Sequence, residues 1–117
     1  MLAKANRVVR GDDFRMVVRR GRRSATPAAV FYRLEQEADR PLRVGIIVAR
    51  SVGNAVERNR VRRRYRALGR QFVDAGARGN DVVVRALPGA AQRSWATLAD
   101  DMHTALDAPL LANAVTT

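Results

Sequence analysis

The sequence of 117 residues has no cysteine, a single lysine, a single histidine and few aromatic residues. Without cysteine, a disulfide framework, a thiolate metal site and a thiol nucleophile are all excluded. The lone His103 has no second histidine with which to form a typical transition-metal site. No stretch approaches the roughly 20 apolar residues of a membrane span, and the N-terminus lacks the apolar run of a signal peptide. The sequence therefore predicts a soluble, cytoplasmic protein.

Positive charge is what the sequence has in excess. It contains 22 basic and 11 acidic residues, a net charge of +11, and almost all of the basic residues are arginine. Residues 1–70 hold 19 basic and 6 acidic residues (+13), whereas residues 71–117 hold 3 and 5 (−2). Arginine presents a planar fork of five donors that matches phosphate and stacks on bases. The first 70 residues are therefore expected to form a surface for a polyanion such as a nucleic acid.

The predicted elements follow in the order helix, strand, strand, helix, strand, helix, within one domain. The helices are predicted from an N-cap at Asp12 or Asp13 to Gly21, from Asn54 or Ala55 to Val73, and from Trp95 onwards after an N-cap at Ser94. The strands are predicted over Ala28–Leu34, Arg43–Arg50 and Asp81–Leu87, and the pattern leaves open a further strand near Arg19–Ser24. This order favours an α+β domain in which one sheet of about four strands packs on helices. The ordered core is expected over residues 5–107, with residues 108–117 as a flexible tail.

The last predicted helix carries an apolar face and no catalytic group. That face consists of Trp95, Leu98, Ala99, Met102 and Leu106. Trp95 is therefore expected in the core, and His103, close to the same face, in a packing or surface role. Asp100 and Asp101 are adjacent, so they point to different sides of the helix and cannot act as a catalytic pair.

The stretch Ser51–Arg70 concentrates seven arginines in one predicted helix. Its apolar stripe, which can dock on a sheet, consists of Val61, Tyr65, Leu68 and Phe72. A different row repeats arginine every four residues, at Arg58, Arg62 and Arg66. Like charges four residues apart on a helix repel each other by a few tenths of a kcal/mol per pair. This repulsion does not help the chain to fold, whereas a bound polyanion would offset it.

A solvated helix face is the ordinary interpretation of a run of charge. Such a face normally carries acidic partners, but Glu57 is the only acidic residue in this stretch, and arginine replaces lysine throughout. In addition, Gly53 and Asn54 precede the helix, where backbone N–H groups and the helix dipole favour an anion. These three features favour a surface that binds a polyanion.

The stretch ARSVGNAVERNRVRRRYRAL (Ala49–Leu68) resembles the signature of the protein subunit of bacterial ribonuclease P. In that family a strand leads into a Gly-Asn-Ala turn and an Arg-Asn-Arg core, here Arg58-Asn59-Arg60, which further basic residues follow. RVVRGDDFRMVVRRGRR resembles the first helix of the family, VFYRL its first core strand and DVVVRALPGA its last strand. The resemblance extends in order over residues 5–107.

The resemblance implies a fold and a function. The fold is a mixed sheet of the ribosomal S5 domain 2-like type, in which Arg43–Arg50 and Asp81–Leu87 are parallel neighbours joined by the arginine helix in a left-handed βαβ crossover. The catalyst in this family is an RNA that removes the 5′ leader from precursor tRNA, with Mg²⁺ held by the RNA and not tightly by the protein. The implied partners are that RNA and precursor tRNA, with a monomeric protein in a 1:1 complex and no membrane.

The resemblance also assigns two groups of RNA-binding residues and no catalytic or metal-binding residue. The residues that would face the catalytic RNA are Asn54, Arg58, Asn59, Arg60, Arg62, Arg63 and Arg66. The residues that would line a cleft for the single-stranded leader are Phe14, Val18, Tyr32 and Arg50. Single-stranded RNA binds basic grooves that contain aromatic platforms, which suits Phe14 and Tyr32. Core packing is the alternative role of these two aromatic residues.

Three other classes of protein remain as alternatives. A general RNA-binding or ribosome-associated protein would have the same element order, size and charge, but would not require the Gly-Asn-Ala and Arg-Asn-Arg sequences. A DNA-binding transcription factor is disfavoured because the basic helix follows a strand and not the first helix of a helix-turn-helix. A membrane-surface protein is disfavoured because the helix has no insertion face beyond what the core needs.

Overall fold

The computed structural model describes residues 2–111. Its helices are α1 (Gly11–Arg20), α2 (Ala55–Asp74) and α3 (Trp95–Leu111), and its strands are β1 (Arg22–Ala25), β2 (Ala29–Glu35), β3 (Arg43–Ile47) and β4 (Asn80–Ala86). Short 3₁₀ helices occur at Lys4–Asn6, Arg50–Val52 and Ala90–Gln92. The chain therefore adopts the predicted α+β fold.

The four strands form one mixed sheet in the order β1-β2-β4-β3. β2 pairs antiparallel with both β1 and β4, whereas β3 pairs parallel with β4. Because α2 connects β3 to β4, the prediction of two parallel neighbours joined by the arginine helix is confirmed. The left-handedness of this βαβ crossover remains a prediction.

The sheet separates two hydrophobic clusters. The larger one lies between the sheet and the helices α2 and α3, and it includes Phe31, Val84, Leu68 and Met102. The smaller one lies under α1 and is built from Val17, Val30, Tyr32 and Val83. Consecutive residues of a strand point to opposite faces, so Phe31 belongs to the first cluster and Tyr32 to the second. Among the helices of residues 2–111, only α1 covers the second face, and grooves therefore open beside α1.

The first helix begins earlier than the sequence predicts. Its N-cap is Arg10, whose side chain makes no capping hydrogen bond, and Asp12 and Asp13 lie within the first turn. The predicted cap at Asp12 or Asp13 is therefore wrong. Carboxylates in the first turn still stabilise the helix, because they face the positive end of its dipole.

Other element boundaries also differ from the predictions. The strand expected to reach Arg50 ends at Ile47, and the chain then turns through the 3₁₀ helix Arg50–Val52. The further strand left open near Arg19–Ser24 exists as β1, at the edge of the sheet. The helix α3 continues through Pro109 to Leu111, so the expected end of the core at residue 107 falls inside a helix. The rest of the predicted tail, residues 112–117, lies outside the described residues.

Candidate nucleic-acid interface

The arginine helix α2 starts with a reciprocal capping box. The Asn54 Oδ1 accepts a hydrogen bond from the backbone N–H of Glu57 (2.9 Å), and the Glu57 Oε1 accepts one from the backbone N–H of Asn54 (3.0 Å). Gln92 Nε2 also donates to Glu57 Oε2 (2.9 Å), which ties this end of α2 to the loop before α3. Asn54, assigned to RNA from the sequence, thus caps the helix. The N–H groups of Asn54 and Glu57, at the end expected to attract an anion, already have acceptors.

The predicted apolar stripe of α2 is confirmed as its docking surface. Its four residues are fully buried: Val61, Tyr65, Leu68 and Phe72. Gly69 brings the helix close to β3, because a Cβ added there would lie 3.2 Å from Val44 Cγ2. This packing fixes which sides of α2 carry arginine toward solvent.

The buried phenol of Tyr65 is a polar exception within that stripe. Its ring meets Phe31 edge-on, with centroids 6.3 Å apart, and its hydroxyl has no hydrogen-bond partner among the described residues. Burial raises the pKa of Tyr65, and the Asp101 carboxylate adds to the rise. The group is therefore a neutral core side chain and not a binding residue.

The arginines of α2 lie along three lines of the helix. Arg58, Arg62 and Arg66 are partly buried on one flank, where Arg66 approaches β3. Asn59 and Arg63 are exposed on the outer line, and Arg60 and Arg64 form the flank toward α3. Contacts identify the third line, because Arg64 Nη1 donates to the Arg93 carbonyl oxygen (2.9 Å). Arg62 Nη1 donates to Asn59 Oδ1 (2.9 Å), so two predicted RNA-binding residues support each other. We call these seven residues, 58–60, 62–64 and 66, the α2 surface.

Positive charge on the α2 surface is not neutralised within the described part of the chain. None of its arginines forms an ion pair with a carboxylate there, whereas Arg70, one turn later, pairs with Asp74 (2.8 Å). The Nε atoms of Arg58 and Arg60 are enclosed and lack an acceptor. An external polyanion would neutralise this charge.

A groove of about 270 Å³ opens between the N-terminal segment, α1 and β3. Arg7, Phe14, Gly45 and Arg66 are among the residues that line it. The Phe14 ring lies directly on Gly45, because a Cβ added at that glycine would be 2.4 Å from Phe14 Cε1. Glycine at position 45 thus creates the space for this ring, and we call this cavity the Phe14 groove.

Arg66 joins the Phe14 groove to the α2 surface. A second groove, of about 380 Å³, is lined by Val56, Asn59, Arg62, Arg63 and Arg66. Because Arg66 lines both grooves, the two form neighbouring parts of one basic surface. Residues that are about 50 positions apart in the sequence, Phe14 and Arg66, therefore meet at the same site.

The four residues assigned to a leader cleft have different surroundings. Phe14, Val18 and Tyr32 all belong to the cluster under α1, so the fold brings these three together. Phe14 and Val18 are partly buried, whereas Tyr32 is only 7% exposed and offers little ring surface for stacking. Arg50 is exposed on the 3₁₀ helix after β3. Of the four predicted residues, Phe14 lines the Phe14 groove, whereas Val18, Tyr32 and Arg50 do not.

Arg7, Gly45 and Arg64 are among the residues of this region that were not predicted from the sequence, and Trp95 was predicted in the wrong place. Arg7 and Gly45 line the Phe14 groove, and Arg64 belongs to the α2 surface. Gly45 gave a usable signal, because a glycine inside an apolar strand often marks a close approach. The expectation that Trp95 is core is wrong, because 38% of this residue is exposed.

His103 occupies the packing role expected of it. Its ring lies against Phe72, with centroids 5.0 Å apart, and its Nδ1 is 2.7 Å from Asp107 Oδ1.

Across residues 2–111, no three His, Asp or Glu side chains come together in a group that could hold a metal ion. None of the helices described is long and apolar enough to cross a membrane.

Known proteins resemble this chain in sequence and in fold. The family model named Ribonuclease P matches residues 2–109. The ribonuclease P protein component of Clavibacter michiganensis is 44% identical over 106 residues, which cover 91% of this chain and 94% of the relative. The corresponding protein of a Nocardioides species is 46% identical over 108 residues, covering 91% and 92%. The structure of the Staphylococcus aureus RNase P protein matches with a TM-score of 0.80 at 25% identity, covering 92% of this chain and 99% of that one.

Proposed function

Because this chain belongs to the ribonuclease P protein family, whose members are subunits of the endoribonuclease that matures the 5′ end of tRNA, we propose that its α2 surface binds the catalytic RNA while its Phe14 groove receives the 5′ leader of precursor tRNA. The observation that carries this proposal is the position of Arg66 in both grooves. One basic side chain can then contact phosphates where the two RNA strands come together.

The protein contributes charge and positioning to the reaction. Arginines of the α2 surface neutralise phosphates of the catalytic RNA, and bound counterions are released. In the Phe14 groove, the partly buried ring offers an apolar wall for a base while Arg7 and Arg66 offer donors to the leader backbone. The leader is thereby held in register with the cleavage site.

Phosphodiester hydrolysis belongs to the RNA in this proposal. Mg²⁺ supplies charge stabilisation and an activated water, and we place it on the RNA. The described residues of the protein present no group of carboxylates or histidines that fits it. Concentrated arginine charge should let the RNA fold and bind its substrate at lower Mg²⁺.

The precursor tRNA is the substrate, and a monomer of the protein forms a 1:1 complex with the catalytic RNA in the cytoplasm. Support for a single copy comes from the surface itself, because the α2 surface and the Phe14 groove lie side by side on one chain.

The direct test is a cleavage assay on precursor tRNA at low Mg²⁺. It compares protein alone, a bacterial ribonuclease P RNA alone, and both together. We expect no cleavage by the protein, little by the RNA and efficient cleavage by the mixture. Cleavage by RNA-free protein, or a mixture no better than the RNA, would contradict the proposal.

A set of arginine variants tests the assignment of the α2 surface. The triple variant Arg58→Ala, Arg62→Ala, Arg66→Ala should fold and bind the RNA weakly, with the slope of log affinity against log salt reduced by about 2 to 3. A matched triple variant at the exposed Arg40, Arg78 and Arg85 removes the same charge elsewhere and should keep the wild-type slope. Equal slopes for the two triple variants would show that only net charge matters.

A further inference from the structure

Trp95 is the aromatic residue with the greatest exposure, at 38%. The chain has six aromatic residues, all within the described part: one Trp, two Tyr and three Phe. Phe31, Tyr65 and Phe72 are fully buried, Tyr32 is nearly so, and Phe14 is partly buried. An aromatic side chain can stack on an RNA base only if a face of its ring is accessible. The indole is therefore the strongest candidate for such a platform.

Its exposure follows from its place on α3. Trp95 continues the apolar line of Leu98 and Met102, which are completely buried, but it is the first residue of the helix. The line therefore extends past the edge of the core at this end. Ser94 fixes the start of the helix, since its Oγ accepts the backbone N–H of Thr97 (3.1 Å).

The segment just before Trp95 is attached to the arginine helix at two points. Arg64 Nη1 donates to the carbonyl oxygen of Arg93, and Gln92 Nε2 donates to Glu57 Oε2, both at 2.9 Å. Further along, His103 Nε2 of α3 is 3.4 Å from Gln71 Oε1 of α2. The start of α3 is thus held against the flank of α2 that carries Arg60 and Arg64.

The α2 surface consequently has an aromatic residue near each of its two flanks, Phe14 on one side and Trp95 on the other. Phe14 lies beyond the flank of Arg66, where both line the same groove. Trp95 begins α3 near the opposite flank, two residues after the exposed Arg93, whose carbonyl oxygen accepts a hydrogen bond from Arg64. Arginines beside an accessible aromatic ring are the combination with which proteins hold unpaired RNA.

We propose that Trp95 stacks on an unpaired base of the catalytic RNA, with Arg60 and Arg64 on the adjoining phosphates. This inference rests on the proposed function and extends the RNA interface from α2 onto the start of α3. The occupant is RNA because the surroundings are basic: Arg60, Arg64 and Arg93 have no carboxylate partner in the described structure. The alternative is that Trp95 packs at the rim of the core, contributes to stability alone and does not contact RNA.

The single tryptophan makes a direct test possible, because tryptophan fluorescence, excited at wavelengths that tyrosine does not absorb, reports on this residue only. Titration of the protein with a bacterial ribonuclease P RNA should quench the indole emission, and the bound state should shield the indole from acrylamide. Trp95→Ala should weaken RNA affinity roughly 5- to 100-fold, and Trp95→Phe, which keeps a ring, should weaken it by less than about threefold. Met16→Ala, at an exposed apolar residue of α1, is the control and should leave affinity unchanged.

The possible outcomes separate this inference from the proposed function. If the RNA binds but emission and acrylamide access do not change, and Trp95→Ala binds as tightly as wild type, the stacking role is overturned while the proposed function stands. If wild-type protein does not bind the RNA, both fail. Melting temperatures identify any variant that is unfolded. If Trp95→Ala is unfolded, the fluorescence titration and the acrylamide quenching of the wild-type protein decide.

Discussion

Arg43 and Asp81 form a bidentate ion pair that joins the parallel strands β3 and β4. Arg43 Nε donates to Asp81 Oδ1 (2.9 Å), and Nη2 donates to Oδ2 (2.6 Å). The two residues are also direct partners in the strand register. Gln36 donates to the same carboxylate (3.1 Å), and Arg43 Nη1 reaches Asp13 of α1 (3.4 Å). The hydrogen bond to Asp81 is the main cause that raises the pKa of Arg43.

Removing this carboxylate should destabilise the fold. The Asp81 side chain is only 4% exposed, and Asp81→Asn leaves the partly buried Arg43 charge with only the longer contact to the Asp13 carboxylate (3.4 Å). We expect a loss of about 3 kcal/mol in the free energy of unfolding, measured by urea denaturation. Asp74→Asn, which breaks the exposed pair with Arg70, is the control and should cost less than about 1 kcal/mol. Similar losses for both would contradict a special role of the buried pair.

The Phe14 groove should depend on the absence of a side chain at position 45. In Gly45→Ala the new methyl group overlaps the Phe14 ring, so either the ring or α1 must move. We expect a cost of about 1–3 kcal/mol in stability and weaker binding of precursor tRNA by the assembled ribonucleoprotein. Gly11→Ala, in the first turn of α1, meets only the Arg15 side chain at 3.4 Å and should keep both properties. Leader-dependent binding that survives in Gly45→Ala would show that Phe14 does not contact the leader.

Variants of Asn54 should separate helix capping from RNA contact. Asn54→Ala removes the acceptor for the Glu57 backbone N–H and should cost about 1 kcal/mol in stability. Asn54→Ser keeps a capping oxygen and should retain the wild-type melting temperature. If capping is the whole role of Asn54, the serine variant also binds the RNA like wild type. Loss of RNA affinity in a fully stable serine variant would show instead that the amide touches RNA.

The buried phenol of Tyr65 predicts a pH dependence of stability. The folded protein holds the phenol proton to a higher pH than the unfolded chain, so stability is fully present below the unfolded pKa of about 10 and falls as the pH rises further. Tyr65→Phe should be at least as stable as wild type at pH 7, because it removes a hydroxyl that has no partner in the described structure. Thermal unfolding between pH 8 and 11 should show a smaller decline for the variant. Parallel declines would contradict the buried position of this group.

The order of the elements and the two sides of α2 could be predicted from the sequence, because both depend on local periodicity. Val61, Tyr65 and Leu68 repeat at helical spacing, and so they are buried together wherever the helix docks. The arginine row between them is a consequence of the same spacing. The family resemblance depended on the contiguous stretch Ala49–Leu68 and so needed no tertiary structure. The capping box of Asn54 and Glu57 was not predicted, although their spacing of three residues is a local signal for one.

Exposure at the ends of elements and contacts between distant segments were decided by the tertiary structure alone. Trp95 and Leu98 share one helical stripe, yet the first is at the edge of the core and the second inside it. Tyr32 is covered by α1, whereas Phe14 reaches the groove through the space above Gly45. Arg66 lines the same groove because the register of β3 against β4 and the docking of α2 bring it there. Periodicity determines which side of an element is apolar; how far the neighbouring elements extend over that side depends on packing between residues far apart in the chain.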